Sequence, residues 1–317
     1  MVKHLSPLQD AAMTCSLNGT EMPHNPWLGL RRKDRFFESE EISALVQRAL
    51  FYARAGVPIH FQGTAGRGKT AVALEIATRI GRSVRVITGN EWLDVEDLIG
   101  KQVGHTSNSV VDKYVQRVRR SEATIRYDWK NSILAEAMLQ GHTLIYDEFT
   151  RASAQANGIL LSVLEEGVLI ATDPVSMGDH IQAHRDFRII LTSNPDDYSG
   201  VNKMPDALLD RMITFQMPLY SLETESGVVA TRTGISANLS TRIVRLVNEL
   251  TGPERVCSMR ASIMIAQIAA LRLRSSKLSD ALLAQIATDV LMGRGIAVSA
   301  AQVAQSLSQM HKQETVT

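Results

Sequence analysis

Residues 63–70 have the side-chain types and the spacing needed to bind a polyphosphate. The run Gly63-Thr64-Ala65-Gly66-Arg67-Gly68-Lys69-Thr70 matches G-x-x-x-x-G-K-[ST] at every fixed position. In a loop of this kind, successive backbone N–H groups and the N-terminus of the next helix face negative charge. We expect Lys69 to reach the β- and γ-phosphates and the Thr70 hydroxyl to hold Mg²⁺. A glycine-rich turn with an incidental lysine is the alternative interpretation.

The segments on either side of this loop favour the phosphate-binding interpretation. Residues 59–62 predict a short buried strand, and residues 70–80 repeat apolar side chains at helical spacing. A strand before the loop and a helix after it are the context that the motif requires. The sequence therefore predicts a polyphosphate-binding loop rather than a simple turn.

A second motif supplies acidic side chains. The run Thr143-Leu144-Ile145-Tyr146-Asp147-Glu148 predicts an apolar strand that ends in two carboxylates, the arrangement known as Walker B. We expect Asp147 to reach Mg²⁺, directly or through water, and Glu148 to orient and deprotonate the attacking water. A surface carboxylate beside a metal ligand is the alternative for Glu148. Together with the phosphate loop, this motif predicts hydrolysis of a nucleotide.

A polar amide follows another predicted strand. Residues 187–191 form an apolar run that ends in Thr192-Ser193-Asn194-Pro195. At the end of a central strand, the Asn194 amide could contact the γ-phosphate or the nucleophilic water. The alternative is that Asn194 caps a turn before Pro195.

Composition restricts the class of protein. The chain has 317 residues, 44% of them hydrophobic and 21% charged, with a formal net charge of +1. These values are typical of a soluble globular protein, and the small net charge gives no reason to expect nucleic acid as a partner. The two cysteines, Cys15 and Cys257, are far apart, which suits a reducing cytosol. With neither a signal peptide nor a membrane span in the sequence, we expect a cytoplasmic protein and no membrane partner.

The order of elements predicts an α/β region followed by an all-helical one. We expect a flexible N-terminal arm at 1–34, an α/β nucleotide-binding domain at 35–219 and a helical lid domain with a C-terminal tail at 220–317. The predicted elements of the α/β domain include one helix at 154–166, a loop at 104–109, a hairpin of 168–171 with 181–184, a short helix at 206–211 and a last strand at 213–216. The predicted helices of the lid cover 237–250, 258–273, 278–292 and 299–312.

Two further groups of residues have both a functional and a purely structural interpretation. Basic and aromatic side chains alternate in the stretch 113–129, a mixture that could bind nucleic acid or a partner protein; its members are Lys113, Tyr114, Arg117, Arg119, Arg120, Arg126, Tyr127 and Trp129. A solvated face on an inserted loop is the favoured interpretation of such a charge cluster. His180 and His184 are four residues apart, but they flank a predicted strand, and we expect no metal site there.

The combined motifs resemble those of the AAA+ ATPases over about residues 36–295. Three stretches look like the MoxR-type branch: Asp147-Glu148-Phe149-Thr150-Arg151-Ala152, Leu161-Ser162-Val163-Leu164-Glu165-Glu166-Gly167 and Thr192-Ser193-Asn194-Pro195. Within that branch, the run from Tyr146 to Gly167 is most similar to the gas vesicle protein N family.

The resemblance implies roles for several residues. Asn194 matches the sensor-1 position, and Arg211 matches the arginine finger that completes a neighbouring subunit's site. Arg260 matches the sensor-2 arginine of the lid, and Arg151 occupies a family position near the subunit interface. Arginine suits such roles because its planar guanidinium is always charged. The sequence departs from the family at Met259, where proline is usual, and at Arg67, where a small or hydroxylated residue is usual.

The resemblance also implies a function. It implies Mg²⁺-dependent hydrolysis of ATP by a ring-shaped oligomer of this chain, a hexamer, which remodels other gas vesicle proteins during vesicle assembly. The protein would then be cytoplasmic and associated with gas vesicles. One alternative is a MoxR-type activator that inserts a metal or cofactor into a partner enzyme. Another is a scaffold that binds ATP and assembles but hardly hydrolyses it.

Overall fold

The computed structural model describes residues 36–111, 121–170, 180–195, 206–252 and 258–314. Within these ranges it describes the side chains other than those of 102–129, 258 and 311–314. The predicted N-terminal arm and the basic side chains of 113–129 lie outside the described residues.

A five-stranded parallel sheet is the centre of the α/β part, as predicted from the strand–helix order. Its strands in chain order are β1 (Ile59–Gln62), β2 (Val84–Thr88), β5 (Thr143–Asp147), β8 (Arg188–Ser193) and β9 (Ile213–Gln216), and they lie side by side as β2-β5-β8-β1-β9. The surrounding helices are α1 (Glu40–Arg54), α2 (Lys69–Ile80), α3 (Val95–Ile99), α4 (Ile133–Gln140), α5 (Ala154–Gly158), α6 (Leu160–Glu165) and α7 (Asp206–Leu209).

Apolar side chains cover this sheet on both faces, as is typical of parallel sheets. Leu144 and Tyr146 of β5 belong to one core cluster, whereas Ile145 between them belongs to the other. Because side chains alternate along a strand, the two faces of β5 pack against different layers of helices. Because all five strands run parallel, their carboxyl ends lie at the same edge of the sheet.

Two antiparallel ribbons are attached to this sheet. The strands β6 (Val168–Ile170) and β7 (His180–Gln182) pair as the predicted hairpin does. The strands β3 (Gly100–Val111) and β4 (Ser121–Asn131) form a longer ribbon with a bulge between Gln102 and Gly104. The loop predicted for 104–109 is therefore wrong: its polar residues are strand residues whose backbone groups pair with β4, a contact that local sequence does not reveal.

Two helix predictions also differ from the structure. The single helix predicted for 154–166 is divided into α5 and α6 near Gly158, a residue with low helix propensity. A helix at α8 (Leu222–Thr233) was missed. Its buried face contains Thr224, Glu225 and Ser226, so it lacks the apolar periodicity by which amphipathic helices are recognised. Glu225 is accommodated there by a hydrogen bond from Asn248 Nδ2 at 2.8 Å.

Helices α8 to α12 pack into a second hydrophobic core. The helices after α8 are α9 (Ala237–Thr251), α10 (Ser258–Leu273), α11 (Asp280–Met292) and α12 (Ala300–Glu314), close to the predicted bounds. None of the helices in the described ranges combines the length and the apolar composition needed to cross a membrane.

Several contacts among the described residues join this helical lid to the α/β part. Met259 at the start of α10 is buried in the core cluster of α1, α2 and β1. The backbone N–H of Ser221 donates a hydrogen bond to Glu41 Oε2 at 3.3 Å. The ring of Phe37 lies directly against the backbone of Gly227 in α8, where a Cβ atom would overlap it.

Candidate nucleotide-binding and catalytic site

The phosphate loop joins β1 to the N-terminus of α2, as the motif requires. Gly66 and Gly68 have φ angles of 86° and 80°, in the left-handed region that glycine occupies without steric cost. Gly68 is also the N-cap of α2, so the unpaired N–H groups of the first helical turn lie beside the loop. The loop therefore has the backbone geometry of an anion-binding site.

The two positively charged side chains of the loop, Lys69 and Arg67, donate hydrogen bonds to other residues of the same loop. Lys69 is only 8% exposed, and its Nζ donates to the carbonyl oxygens of Gly63 at 2.6 Å and Thr64 at 2.9 Å. Arg67 is equally buried, and its Nε donates to Thr64 Oγ1 at 3.1 Å. Both positive groups are thus concentrated at the loop, where a polyphosphate could exchange for the carbonyl contacts of Lys69.

Asp147 accepts hydrogen bonds from two other elements of the site. Its Oδ1 accepts hydrogen bonds from Thr70 Oγ1 at 2.8 Å and from Thr192 Oγ1 at 2.5 Å. These bonds connect the start of α2, the end of β5 and the end of β8. Carboxylate and hydroxyl oxygens at one point are ligands that suit a hard divalent cation.

Glu148 has an unusual backbone conformation. Its φ of 52° is the only positive value among the non-glycine residues that the structure describes. Its N–H donates to Thr192 Oγ1 at 2.9 Å, and Gly89 passes so close that any side chain there would overlap the Glu148 carbonyl. A non-glycine residue in this region costs about 1–3 kcal/mol, and such strain is concentrated at functional sites. The Glu148 carboxylate pairs with Arg151 Nε at 2.9 Å.

Asn194 directly follows β8, the strand between β5 and β1, so it lies at the carboxyl edge that also carries the phosphate loop and Asp147. It is 8% exposed and has partners within the structure. Open α/β sheets bind their ligands at this edge. The predicted nucleotide-contacting residues that follow β1, β5 and β8 therefore lie at the same edge of the sheet.

The two arginines carried over from the family lie on other elements of the chain. Arg211 follows α7 and pairs with Glu165 at the end of α6. Arg260 is exposed in the first turn of α10, next to the buried Met259. Methionine at the usual proline position is thus accommodated as a core residue that fixes the start of α10.

Thr192 and His60 are two polar residues to which the sequence motifs assigned no role. Thr192 could have been suspected only from its hydroxyl at the end of a strand, since its partners depend on the order of the strands. His60 in β1 is fully buried, with Nε2 2.8 Å from Ser193 Oγ and Nδ1 3.1 Å from Thr214 Oγ1. Burial, and secondarily the charge of Lys69, lower the pKa of His60 to about 4. His60 is therefore a neutral link between β1, β8 and β9.

Comparison with known proteins assigns the family. The family model described as AAA domain (dynein-related subfamily) matches residues 58–212. The gas vesicle ATPase GvpN of Ancylobacter aquaticus is 37% identical over 267 residues, 83% of this chain and 75% of that protein. The gas vesicle ATPase GvpN1 of Halobacterium salinarum is 36% identical over 263 residues, 82% of this chain and 74% of that protein.

A solved structure agrees with the fold. A mutant of RuvB from Thermotoga maritima is 15% identical, with a TM-score of 0.50, over 86% of this chain and 83% of that chain. This likeness concerns the fold alone. The AAA+ resemblance inferred from the motifs is confirmed, and so is ATPase activity as the enzymatic class. The chain belongs to the GvpN family of gas vesicle ATPases, within the AAA+ proteins.

Proposed function

We propose that this chain hydrolyses MgATP in a ring-shaped oligomer, a hexamer, and uses the cycle to remodel gas vesicle proteins during vesicle assembly. The observation that carries the catalytic part is the pair of hydrogen bonds on Asp147 Oδ1 from Thr70 and Thr192. They link the phosphate loop, the acidic strand and the strand that leads to Asn194. The role in vesicle assembly is supported by the names of the similar proteins.

The proposed mechanism divides the work among four groups. The phosphate loop and Lys69 bind the phosphates, and Thr70 and Asp147 hold Mg²⁺, which would supply positive charge to the phosphate oxygens when bound. Glu148 accepts a proton from the attacking water, and Asn194 orients that water or the γ-phosphate. Arg211 of a neighbouring subunit and Arg260 of the lid compensate the negative charge of the transition state.

The test of this mechanism separates an enzyme from a scaffold. Glu148→Gln should bind MgATP like the parent protein and hydrolyse it about 10²–10⁴-fold more slowly, because the amide cannot accept the proton. Glu166→Gln is the matched control, since Glu166 is an exposed glutamate to which the mechanism gives no role. Single-turnover hydrolysis at the parental rate in Glu148→Gln would refute Glu148 as the base.

The cellular role requires a separate experiment. In a vesicle-forming host, deletion of the gene should reduce or abolish gas vesicles, as imaged in whole cells. The parent gene should restore them, and the Glu148→Gln gene should not. Normal vesicles in the deletion strain would refute the role in assembly while leaving the ATPase assignment intact.

A further inference from the structure

Arg211 is held by two different elements of its own chain. Its Nε and Nη2 donate to Glu165 Oε2 at 2.8 and 2.5 Å, so one carboxylate oxygen binds a whole edge of the guanidinium. Its Nη1 donates to the carbonyl oxygen of Ala207 in α7 at 2.6 Å. Glu165 is the last residue of α6. The position of the guanidinium is therefore fixed by both α6 and α7.

These contacts leave part of the guanidinium available. Arginine has five N–H donors in a rigid planar group. Within the part of the chain that the structure describes, the contacts of Arg211 use three of them. Two donors remain for an anion that approaches from outside the subunit. The side chain of Arg211 is 27% exposed and that of Glu165 is 56% exposed, so the pair lies at the surface.

A fixed arginine is a better catalyst than a mobile one. A free arginine side chain has many rotamers, and holding it at the transition state would cost that freedom at every turnover. Contacts that fix the guanidinium beforehand avoid this cost, and small displacements of catalytic groups can cost about 10²-fold in rate. Glu165 belongs to the stretch Leu161–Gly167, for which the sequence motifs gave no role.

We propose that Glu165 is a positioning residue that orients Arg211 toward the nucleotide of a neighbouring subunit. This inference rests on the proposed function, in which Arg211 acts across the subunit interface. Glu165 itself does not contact the nucleotide. It binds the Nε edge of the guanidinium, and Ala207 accepts one N–H of Nη1, so that one N–H of each Nη atom is left for the anion.

The opposite role would be to sequester Arg211. In that case Glu165 would compete with the phosphates for the guanidinium, and its removal would raise the rate. Orientation is favoured because the carboxylate is more than half exposed and its charge is therefore screened by solvent. The bound edge still leaves two donors for the several negative oxygens of a triphosphate.

Two variants of Glu165 distinguish the roles in steady-state hydrolysis by the assembled protein with MgATP. Glu165→Ala removes the acceptor and should lower kcat about 10-fold to 100-fold with little change in KM. Glu165→Gln keeps one acceptor oxygen and should fall between Glu165→Ala and the parent protein. Glu166→Ala is the matched control and should behave like the parent protein. A higher kcat in Glu165→Ala, or a kcat equal to that of the control, would overturn the proposal.

Mixed oligomers distinguish the positioning of Arg211 from a merely structural role, because only positioning makes the effect depend on which chain carries the Glu165 substitution. Lys69→Ala chains lack a working phosphate loop but keep Arg211, and Arg211→Ala chains have the reverse defect. Their mixture should recover part of the activity. Adding Glu165→Ala to the Lys69→Ala chain should remove most of this recovery, because that chain supplies the arginine. Adding it to the Arg211→Ala chain should leave the recovery unchanged.

The outcomes separate this inference from the proposed function. If Arg211→Ala hydrolyses ATP at the parental rate, the arginine-finger role fails and the role of Glu165 fails with it. If Arg211→Ala is inactive but Glu165→Ala acts equally from either chain, Glu165 is structural and only the inference fails. Size-exclusion chromatography with ATP confirms for each variant that the subunits assemble.

Discussion

The acidic side of the site and the arginine side are built in different ways. Thr70 and Thr192 both donate hydrogen bonds to Asp147 inside a single chain. Arg211 and Arg260 instead lie at the surface of α7 and on an exposed turn of α10. The groups that we propose to bind the chain's own nucleotide are thus hydrogen-bonded together within one chain, whereas the arginines lie at the surface.

This difference predicts which steps need a second subunit. Nucleotide binding uses the hydrogen-bonded groups and should be a property of one chain. Hydrolysis uses the surface arginines and should depend on protein concentration. The following experiments test the two halves of this comparison, beginning with the largest expected effect.

Loss of Arg211 should affect hydrolysis but not binding. Arg211→Ala should lower the rate of hydrolysis by about 10³–10⁵-fold, the range for arginines supplied in trans. The affinity for ATP should stay at the parental value, since the phosphate loop is intact. Isothermal titration calorimetry and single-turnover hydrolysis measure the two quantities, with the exposed Arg185→Ala as control. A large loss of affinity would show that Arg211 contributes to nucleotide binding. Arg151 would then be the candidate for the arginine finger.

Loss of Lys69 should affect binding in isolated subunits. Hydrogen bonds to charged groups contribute about 1.5–3 kcal/mol each, so Lys69→Ala should weaken ATP binding at least about tenfold. The measurement is calorimetric titration at a protein concentration where the subunits are monomeric. Parental affinity in this variant would contradict the assignment of 63–70 as the phosphate loop.

Substitutions of Thr192 test whether the hydrogen bonds of its hydroxyl keep Asp147 and Glu148 in position. Thr192→Val keeps the shape of the side chain but removes the bonds to Asp147 and Glu148. A typical hydrogen bond contributes about 0.5–1.5 kcal/mol, so we expect a loss of about 2- to 12-fold in hydrolysis for each of the two bonds. Thr192→Ser keeps the hydroxyl and should retain most of the activity. Equal rates in the two variants would show that the hydroxyl is not needed.

Protonation of His60 should not affect stability at neutral pH but should lower it in acid. In the unfolded chain His60 becomes protonated near pH 6.5, whereas in the folded protein its pKa is about 4. The contribution of neutral His60 to the free energy of unfolding is therefore fully present above pH 6.5. It is lost as the pH falls toward 4, by up to about 3 kcal/mol. Denaturant unfolding of His60→Asn should show a shallower pH dependence over this range. His180→Asn, which changes an exposed histidine, should keep the parental slope.

The sequence predicted the parts of the site that are local in the chain. The phosphate loop and the Asp147-Glu148 motif each lie in one short run, and the residue types alone identify them. The strand at Ile213–Gln216 agrees with its predicted bounds because the types and order of side chains along one strand are also local signals.

Contacts between distant residues could not be predicted in this way. The bond from Thr192 to Asp147 spans 45 residues and depends on β5 and β8 being neighbours in the sheet. The pair of Arg211 and Glu165 spans 46 residues and depends on the packing of α6 against α7. The ribbon of β3 and β4 was missed for the same reason, since each strand is recognisable only through its partner.

The contact between Phe37 and Gly227 constrains how this protein can vary during evolution. The ring occupies the space in which any side chain at 227 would lie. A larger residue at 227 is therefore compatible with the present position of α8 only if residue 37 becomes smaller. Across related sequences, the sizes of these two residues should change in opposite directions, and a lineage that alters one alone would have to move the lid.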